Sequence, residues 1–320
     1  MNILMIGRGV IATLYAWAFE NAGHKVTFYV RPGRAAQYGP LVNLELRDGR
    51  VNSKGTLLNE KWPITMREDL NADHDYDLIV VSVNHNQLSE VVSFLSTRMS
   101  KATVLIFNNV WVDPQIAVSV LPNEQVVWGF PGGGGGFSGS TLKGGFMKIV
   151  FMGSCGNSNR STRYQAVREL FRNAGFSVSE SKDFRSWLWL HFIMDAGLTV
   201  QALKVGGFSK VFDSSAQLKE AILLMREMIP LLKAKGDKPG LASIILSILP
   251  AGLLGFILHK FLGRDSLGRF IMEQVEISGY GTYDLTALYA RDVLADARRL
   301  GVALPRLTAL EPVFKTKSVG

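Results

Sequence analysis

The chain has 320 residues, 47% of them hydrophobic and 19% charged, with 35 Lys and Arg against 27 Asp and Glu for a formal net charge of +8. That length suits about two domains, and the composition excludes a disordered or low-complexity chain. The single cysteine, Cys155, excludes an intrachain disulfide, and lysines and arginines scattered without a basic stripe argue against nucleic acid, leaving an anionic small molecule as the partner a basic excess suits.

The opening MNILMIGRGV passes from a short apolar run straight into glycines and lacks the basic start and long apolar core of a secretory signal, so a cytoplasmic location is expected. Asn2–Ile6 reads as a buried strand, Ile11–Ala22 as a helix and Lys25–Val30 as a second strand. DLIVVSV (Asp77–Val83) and TVLIF (Thr103–Phe107) are short β-branched and apolar runs of the kind found in central parallel strands, with a helical Leu88–Leu95 between them. Val126–Phe130 and Lys148–Met152 add later strands, and Thr162–Ala174 is an amphipathic helix closed by Gly175. The glycine run Gly132–Gly136 reads as a loop. From about Lys182 the strand signals end, and Ser186–Ala202, Ala216–Ala234 and a long stretch from about Leu267 to Leu300 read as helices. The expected fold class is α/β: an N-terminal Rossmann domain with a doubly wound parallel sheet over residues 1–181, and an all-helical C-terminal domain over residues 182–320.

Leu241–Leu258 (LASIILSILPAGLLGFIL) is uncharged and nearly long enough to span a bilayer. Pro250 interrupts its middle, so the expectation is two short helices bent at that proline and buried in the helical domain, with no membrane partner.

Gly7-Arg8-Gly9-Val10-Ile11-Ala12 is a GxGxxA turn directly after a strand and at the start of a helix. In that setting Gly7 permits the tight turn, Gly9 lets a pyrophosphate approach the backbone, Ala12 allows close helix–sheet packing, and the helix N-terminus favours an anion. The second strand ends in Val30-Arg31-Pro32-Gly33-Arg34, where an NAD site usually carries an acid for the ribose 2′-hydroxyl. An arginine fork there suits a 2′-phosphate, so Arg31 and Arg34 point to NADP(H) as the cofactor. No histidines stand at metal-ligand spacing, and no metal is expected.

The stretches MNILMIGRGVIATLYAWAFENAGHKVTFYVRPGR, DLIVVSVNHNQLSEVV, VLIFNNVW, WLWLHFIMDAGLTVQAL and ARDVLADARRLGVALPRLTALEPVFK together resemble the ketopantoate reductase family over nearly the whole chain. The resemblance implies NADPH-dependent reduction of a 2-keto acid between a Rossmann domain and a helical domain similar to that of 6-phosphogluconate dehydrogenase, with a homodimer through the helical domain as one arrangement. It puts Val83, Asn84 and Asn108 beside the cofactor and His191 where the family has its proton-donating lysine. Asn84 stands where a second lysine is usual, Asn108 matches a family asparagine, Asp195 replaces another asparagine, and Asp284 is the candidate for the acid of the last long helix. His191 and Asp195 are spaced i, i+4, so they share one helix face, and an imidazolium there suits proton donation to a carbonyl. Loss of both lysines points away from ketopantoate. The Leu241–Leu258 pair with Trp187, Trp189 and Phe192 suggests a bulkier, less polar substrate with a C=O or C=N group. The alternative is an NADP-binding protein that keeps the fold without the chemistry.

Overall fold

A computed structural model describes residues 1–155, 161–238, 240–263, 265–277 and 283–315, the side chains of residues 283 and 284 excepted. The chain divides into two compact units, Met1–Arg185 and Ser186–Gly320. Along the first run β1 (Asn2–Ile6), α1 (Val10–Asn21), β2 (Lys25–Tyr29), α2 (Arg34–Tyr38), β3 (Leu41–Gly49), β4 (Thr56–Pro63), β5 (Met66–Arg67), β6 (Leu78–Val81), α3 (Leu88–Leu95), β7 (Thr103–Phe107) and α4 (Pro114–Ala117). It continues with β8 (Val126–Phe130), β9 (Gly133–Ser138), β10 (Thr141–Met147), β11 (Ile149–Gly153), α5 (Thr162–Asn173) and β12 (Ser177–Ser181).

The apolar runs become the centre of an eight-stranded sheet in the order β12-β11-β8-β7-β6-β1-β2-β5. Every residue of β6 and β7 is buried, as expected for parallel strands covered on both faces. The pairs from β5 to β8 are parallel, and β11 runs antiparallel to β8. From β1 the chain moves to β2 on one side and later to β6 and β7 on the other. The carboxyl end of β1 is therefore the switch point of the sheet, where open α/β sheets bind ligands.

Helix α1 is buried almost all round because it packs on β1 and β2 and also on β9 and β10. Trp17 donates to Glu60 at 2.9 Å and Trp62 to Glu20 at 2.8 Å, pinning β4 to the same helix. β4 and β9 are the outer strands of a second, four-stranded sheet in the order β4-β3-β10-β9. This corrects the loop expectation for Gly132–Gly136, most of which forms β9 against β10. Glycine is a poor strand former, but here the backbones approach too closely for side chains. A Cβ on Gly135 would stand 2.2 Å from the Lys143 carbonyl oxygen, and one on Gly144 would stand 2.3 Å from that of Gly134.

In the second unit the described elements are helical: α6 (Phe184–Val205, which starts two residues before the unit), α7 (Phe208–Phe212), α8 (Ser215–Ala234), α9 (Leu241–Ile248), α10 (Ala251–Phe261), α11 (Leu267–Ile277), α12 (Tyr283–Arg299), α13 (Pro305–Ala309) and α14 (Glu311–Phe314). Ser214 caps α8 by accepting from the Gln217 N–H, and Leu218, Ala221, Ile222, Met225 and Met228 turn its apolar face inward. Lys235 meets Asp296 at 2.7 Å, both side chains about nine-tenths buried, and its ammonium lies 4.9 Å from the Trp189 ring centroid.

The expected bend at Pro250 is present: α9 and α10 meet at 113°, and Pro250 is the residue before α10. Burial of the pair is not. Ser243, Ala251 and Gly255 face inward, while Leu241 and Ile248 are 74% and 72% exposed. The reason is the contact with α8, so close that a Cβ on Gly255 would fall 2.8 Å from the Ser215 carbonyl oxygen. Small residues line the closest approach, Leu246, Leu254 and Leu258 pack beside it, and the other large side chains turn outward.

Candidate active site

The glycine turn caps the switch point. Gly7 has φ +80°, a conformation L side chains resist, and its N–H donates to the Tyr29 carbonyl at 2.8 Å, fastening the turn to the end of β2. Gly9 precedes α1 in an extended conformation, and no side chain caps the helix. A Cβ on Gly9 would meet only the Ser82 carbonyl oxygen, at 4.0 Å, so the protein's own packing does not demand glycine there. The missing side chain instead leaves the space over the first helical turn clear, which is what a pyrophosphate needs. Val10 and Ala12 are buried and Ile11 is half-buried, holding that turn against the sheet.

Arg8 is 9% exposed. Its guanidinium lies between two rings, 4.4 Å from the Tyr38 centroid and 4.3 Å from that of Phe137. Stacking serves the two faces of the guanidinium and leaves its in-plane donors unserved. Nε and Nη1 are both buried without a hydrogen-bond partner, and desolvation holds the group below its ordinary pKa. The motif places Arg8 in the turn, but nothing in the sequence indicates that Tyr38 and Phe137 will flank it.

Beside the turn the ends of β6 and β7 are joined through Asn108. Its amide donates to the Val83 carbonyl oxygen and accepts from the Val83 N–H at 3.2 Å, so both backbone groups of Val83 are held by one buried side chain. Asn84 follows in extended conformation and leads into a single turn of 3-10 helix over His85–Gln87. Val83, Asn84 and Asn108 thus share the carboxyl edge of the sheet with the glycine turn. Ser82, which sequence reasoning overlooked, adds a buried hydroxyl with no hydrogen-bond partner at the same edge.

On the other side of β1, Arg31 is exposed at the end of β2, and Arg34 donates to Gln37 at 2.5 Å. A carboxylate does reach this turn, from a residue the sequence did not mark. Glu68, one residue past β5, accepts the Ala35 N–H at 2.7 Å. Hydrogen bonds from the Gly33 and Ala35 N–H groups hold it below its ordinary pKa, so its acceptor capacity is committed to the turn. The signal that would have found it is β5 itself, a two-residue strand paired with Phe28 and Tyr29 of β2 and too short to read from pattern.

In the second unit, His191 and Asp195 lie one turn apart on α6, with Nε2 3.6 Å from Oδ1 and both side chains about 30% exposed. The imidazole stacks on the Trp187 ring, centroids 5.0 Å apart and planes 8° from parallel. Asp284 begins the first turn of α12, but its side chain lies outside the described residues. Trp189 and Phe192 are 2% and 0% exposed, Phe192 packing on Tyr289 at 4.7 Å, so they are core rather than the substrate-lining aromatics the sequence suggested. Three of the other four histidines have structural partners: His24 at the N-terminal amine, His74 at the Arg98 carbonyl and His259 at the Phe212 carbonyl.

Residues 3–139 match the family model described as ketopantoate reductase PanE/ApbA. No curated protein matches the chain in sequence. Among solved structures, 2-dehydropantoate 2-reductase from Geobacter metallireducens GS-15 is similar at a TM-score of 0.71 and 16% identity, covering 98% of this chain and 99% of that one. A ternary structure of D-mandelate dehydrogenase with NADH and anilino(oxo)acetate is similar at 0.69 and 14% identity, covering 98% and 97%. A probable 2-dehydropantoate 2-reductase from Bacillus subtilis is similar at 0.66 and 17% identity, covering 98% and 99%. Residues 3–139 thus match the ketopantoate reductase PanE/ApbA model, and over its whole length the chain has the ketopantoate reductase fold, with a sequence far diverged from those structural neighbours.

Proposed function

We propose that the chain is an NADP(H)-dependent reductase of a small carbonyl or imine compound. The observation that carries this reading is Arg8: a buried guanidinium with unpartnered donors, set in a glycine turn at the sheet's switch point, is costly to leave unanswered, and an anion answers both its charge and its donors. When bound, the dinucleotide supplies the hydride. The Gly7–Ala12 turn and the first N–H groups of α1 would hold its pyrophosphate, and Arg31 with Arg34 its 2′-phosphate. Asn108, by fixing Val83, would set the edge that receives the nicotinamide, with Asn84 beside it. His191, steadied by Trp187 and oriented by Asp195, would give the proton to the carbonyl oxygen, and Asp284 is the remaining acidic candidate. With Trp189 and Phe192 in the core, only the half-buried Trp187 still argues for an apolar substrate. A cytoplasmic setting, which keeps a lone thiol reduced, fits this chemistry.

Two observations favour other readings. The negative charge that Glu68 adds at the β2 turn, even while bonded to it, and an NADH-bound structural neighbour favour NADH. The near-parallel stacking of His191 on Trp187 favours a structural histidine in a protein that binds the dinucleotide without turnover.

Dissociation constants for NADPH and NADH decide among them. We expect the parent to bind NADPH at least roughly tenfold more tightly. Arg31→Ala should cost NADPH roughly tenfold and leave NADH unchanged, since a charge-assisted phosphate contact is worth about 1.5–3 kcal/mol. Arg8→Met should weaken both cofactors. Equal affinities in the parent would end the NADP reading in favour of NADH, and no affinity for either would end the reductase reading.

A further inference from the structure

The α9–α10 pair packs inward through Leu246, Ala251, Leu254, Gly255 and Leu258, and turns a second set of apolar side chains outward. On α9, Leu241, Ile244, Ile245 and Ile248 follow i, i+3, i+4, i+7 spacing, and they are 74%, 43%, 43% and 72% exposed. On α10, Leu253, Phe256, Ile257 and Phe261 form a second stripe, 47–74% exposed. A helix on a water-facing surface directs such a stripe to the core. These eight side chains present on the order of 800 Å² of apolar surface, above the ~300–600 Å² of the largest patch on a typical monomer.

Charge tells what covers it. From Lys238 through Lys260 the sequence contains no Asp or Glu, and both of those lysines are exposed. The Lys260 ammonium lies 5.5 Å from the Phe256 ring centroid, so the cation rides along the edge of the apolar stripe. Beneath the pair, the α8 carboxylates are engaged elsewhere: Glu220 pairs with Arg306 at 3.6 Å, and Glu227 accepts the N–H groups of Arg306 and Leu307. A second copy of this chain docked face to face would bring lysine toward lysine with no acid in the segment to answer them. An anionic lipid surface offers both an apolar layer and the complementary charge.

Length decides the mode. Eight- and eleven-residue helices reach about 12 and 17 Å, well short of a ~30 Å hydrocarbon core. No single helix among the described residues is long and apolar enough to cross a membrane. We propose that α9 and α10 form an in-plane attachment surface for an anionic bilayer, their outward stripes entering the headgroup–acyl boundary and Lys238 and Lys260 pairing with lipid phosphates. This runs counter to the sequence-based expectation of a buried pair with no membrane partner, and it does not depend on the reductase reading.

The test is co-flotation of the full chain with vesicles of phosphatidylcholine alone or mixed with phosphatidylglycerol, at low and high salt, with light scattering of the protein alone. We expect binding to the mixed vesicles, weakened by salt and at least roughly tenfold weaker on phosphatidylcholine alone. Ile248→Ser with Phe256→Ser should lower binding at least tenfold without changing the circular dichroism spectrum or melting temperature, because both side chains already face water. Lys238→Gln with Lys260→Gln should lower binding to the mixed vesicles only. A chain that ignores both vesicle types overturns the proposal. If it is then a dimer that Ile248→Ser with Phe256→Ser splits, the surface belongs to a second copy.

Discussion

The imidazole of His191 has two neighbours that ask different things of it. Asp195, 3.6 Å from Nε2, lies along the helix on the same face, while the Trp187 face holds the ring in one plane. A proton donor needs a fixed direction, so the two contacts are compatible with catalysis, and the side chain keeps about 30% exposure for a substrate to reach. If His191 is the acid, His191→Gln should lower turnover by ~10²–10⁴-fold with the cofactor dissociation constant unchanged. Asp195→Asn should lower kcat less and leave KM unchanged, because it acts through the ring. Ketopantoate should be a poor substrate, since Asn84 and His191 stand where the resemblance expects lysines and leave its carboxylate without a permanent cation. Steady-state rates with ketopantoate and with uncharged ketones check both points. A fully active His191→Gln variant would make the histidine structural, and efficient ketopantoate turnover would remove the substrate argument.

At the scale of elements, the β9–β10 ladder is built from glycines that no other residue can replace. A Cβ on Gly144 would lie 2.3 Å from one backbone oxygen and 2.8 Å from the Gly135 Cα, so the strands must part to admit it. Gly144→Ala should therefore cost about 1–3 kcal/mol in chemical denaturation, the range for overpacking. Gly139, at φ +60° with nothing within 4 Å of a Cβ, should accept asparagine at little cost. Equal losses at the two positions would show that backbone conformation, not close approach, sets the requirement. These strands also mark where the sequence stops being informative. β1, β6 and β7 announce themselves as apolar runs, and the turn after β1 as a motif, because burial on both faces and phosphate binding each constrain residue type. β3 carries a readable alternation, with Val42, Leu44 and Leu46 buried between more exposed neighbours, and a period of two would have found it. β9 carries none, since its four successive glycines have no side chains to alternate and their constraint is the close backbone of β10, which no residue pattern announces. The α9–α10 stripes mislead for a different reason: periodicity reports that a helix has two faces, but not which one the protein turns inward. Glu68 and the Tyr38–Arg8–Phe137 stack are contacts between distant segments, invisible to local pattern.

For the whole molecule, acid should act with opposite sign at two partly buried carboxylates, one in each unit. Glu20, in the first unit, is raised above its ordinary pKa chiefly by desolvation, against the hydrogen bond from Trp62. Its folded form takes up a proton before the unfolded form does, so its contribution is fully present below the unfolded value of ~4.3 and is lost as pH rises through the folded value. Asp296, in the second unit, is also desolvated, but its bonds to Lys235 and Arg299 outweigh that and leave it below its ordinary pKa. Its contribution is present above the unfolded value of ~3.9 and is lost as pH falls through the folded one. Acidifying from neutrality toward pH ~4.5 should therefore stabilise the molecule slightly through Glu20 while Asp296 stays intact, and further acid should remove the Asp296 contribution. Two variants separate these effects. Glu20→Gln keeps an acceptor for Trp62 without the buried charge, so it should melt above the parent at pH 7 and match it near pH 4. Asp296→Asn leaves Lys235, 9% exposed, without its counter-charge. It should lose about 3 kcal/mol at pH 7, on the order of 10 °C in Tm, with the gap closing only below pH ~4. Melting curves of the three proteins across pH 3.5–8 provide the check. A Glu20→Gln variant less stable than the parent at pH 7, or an Asp296→Asn deficit that closes already at pH 6, would contradict the assignment of which carboxylate the fold favours charged.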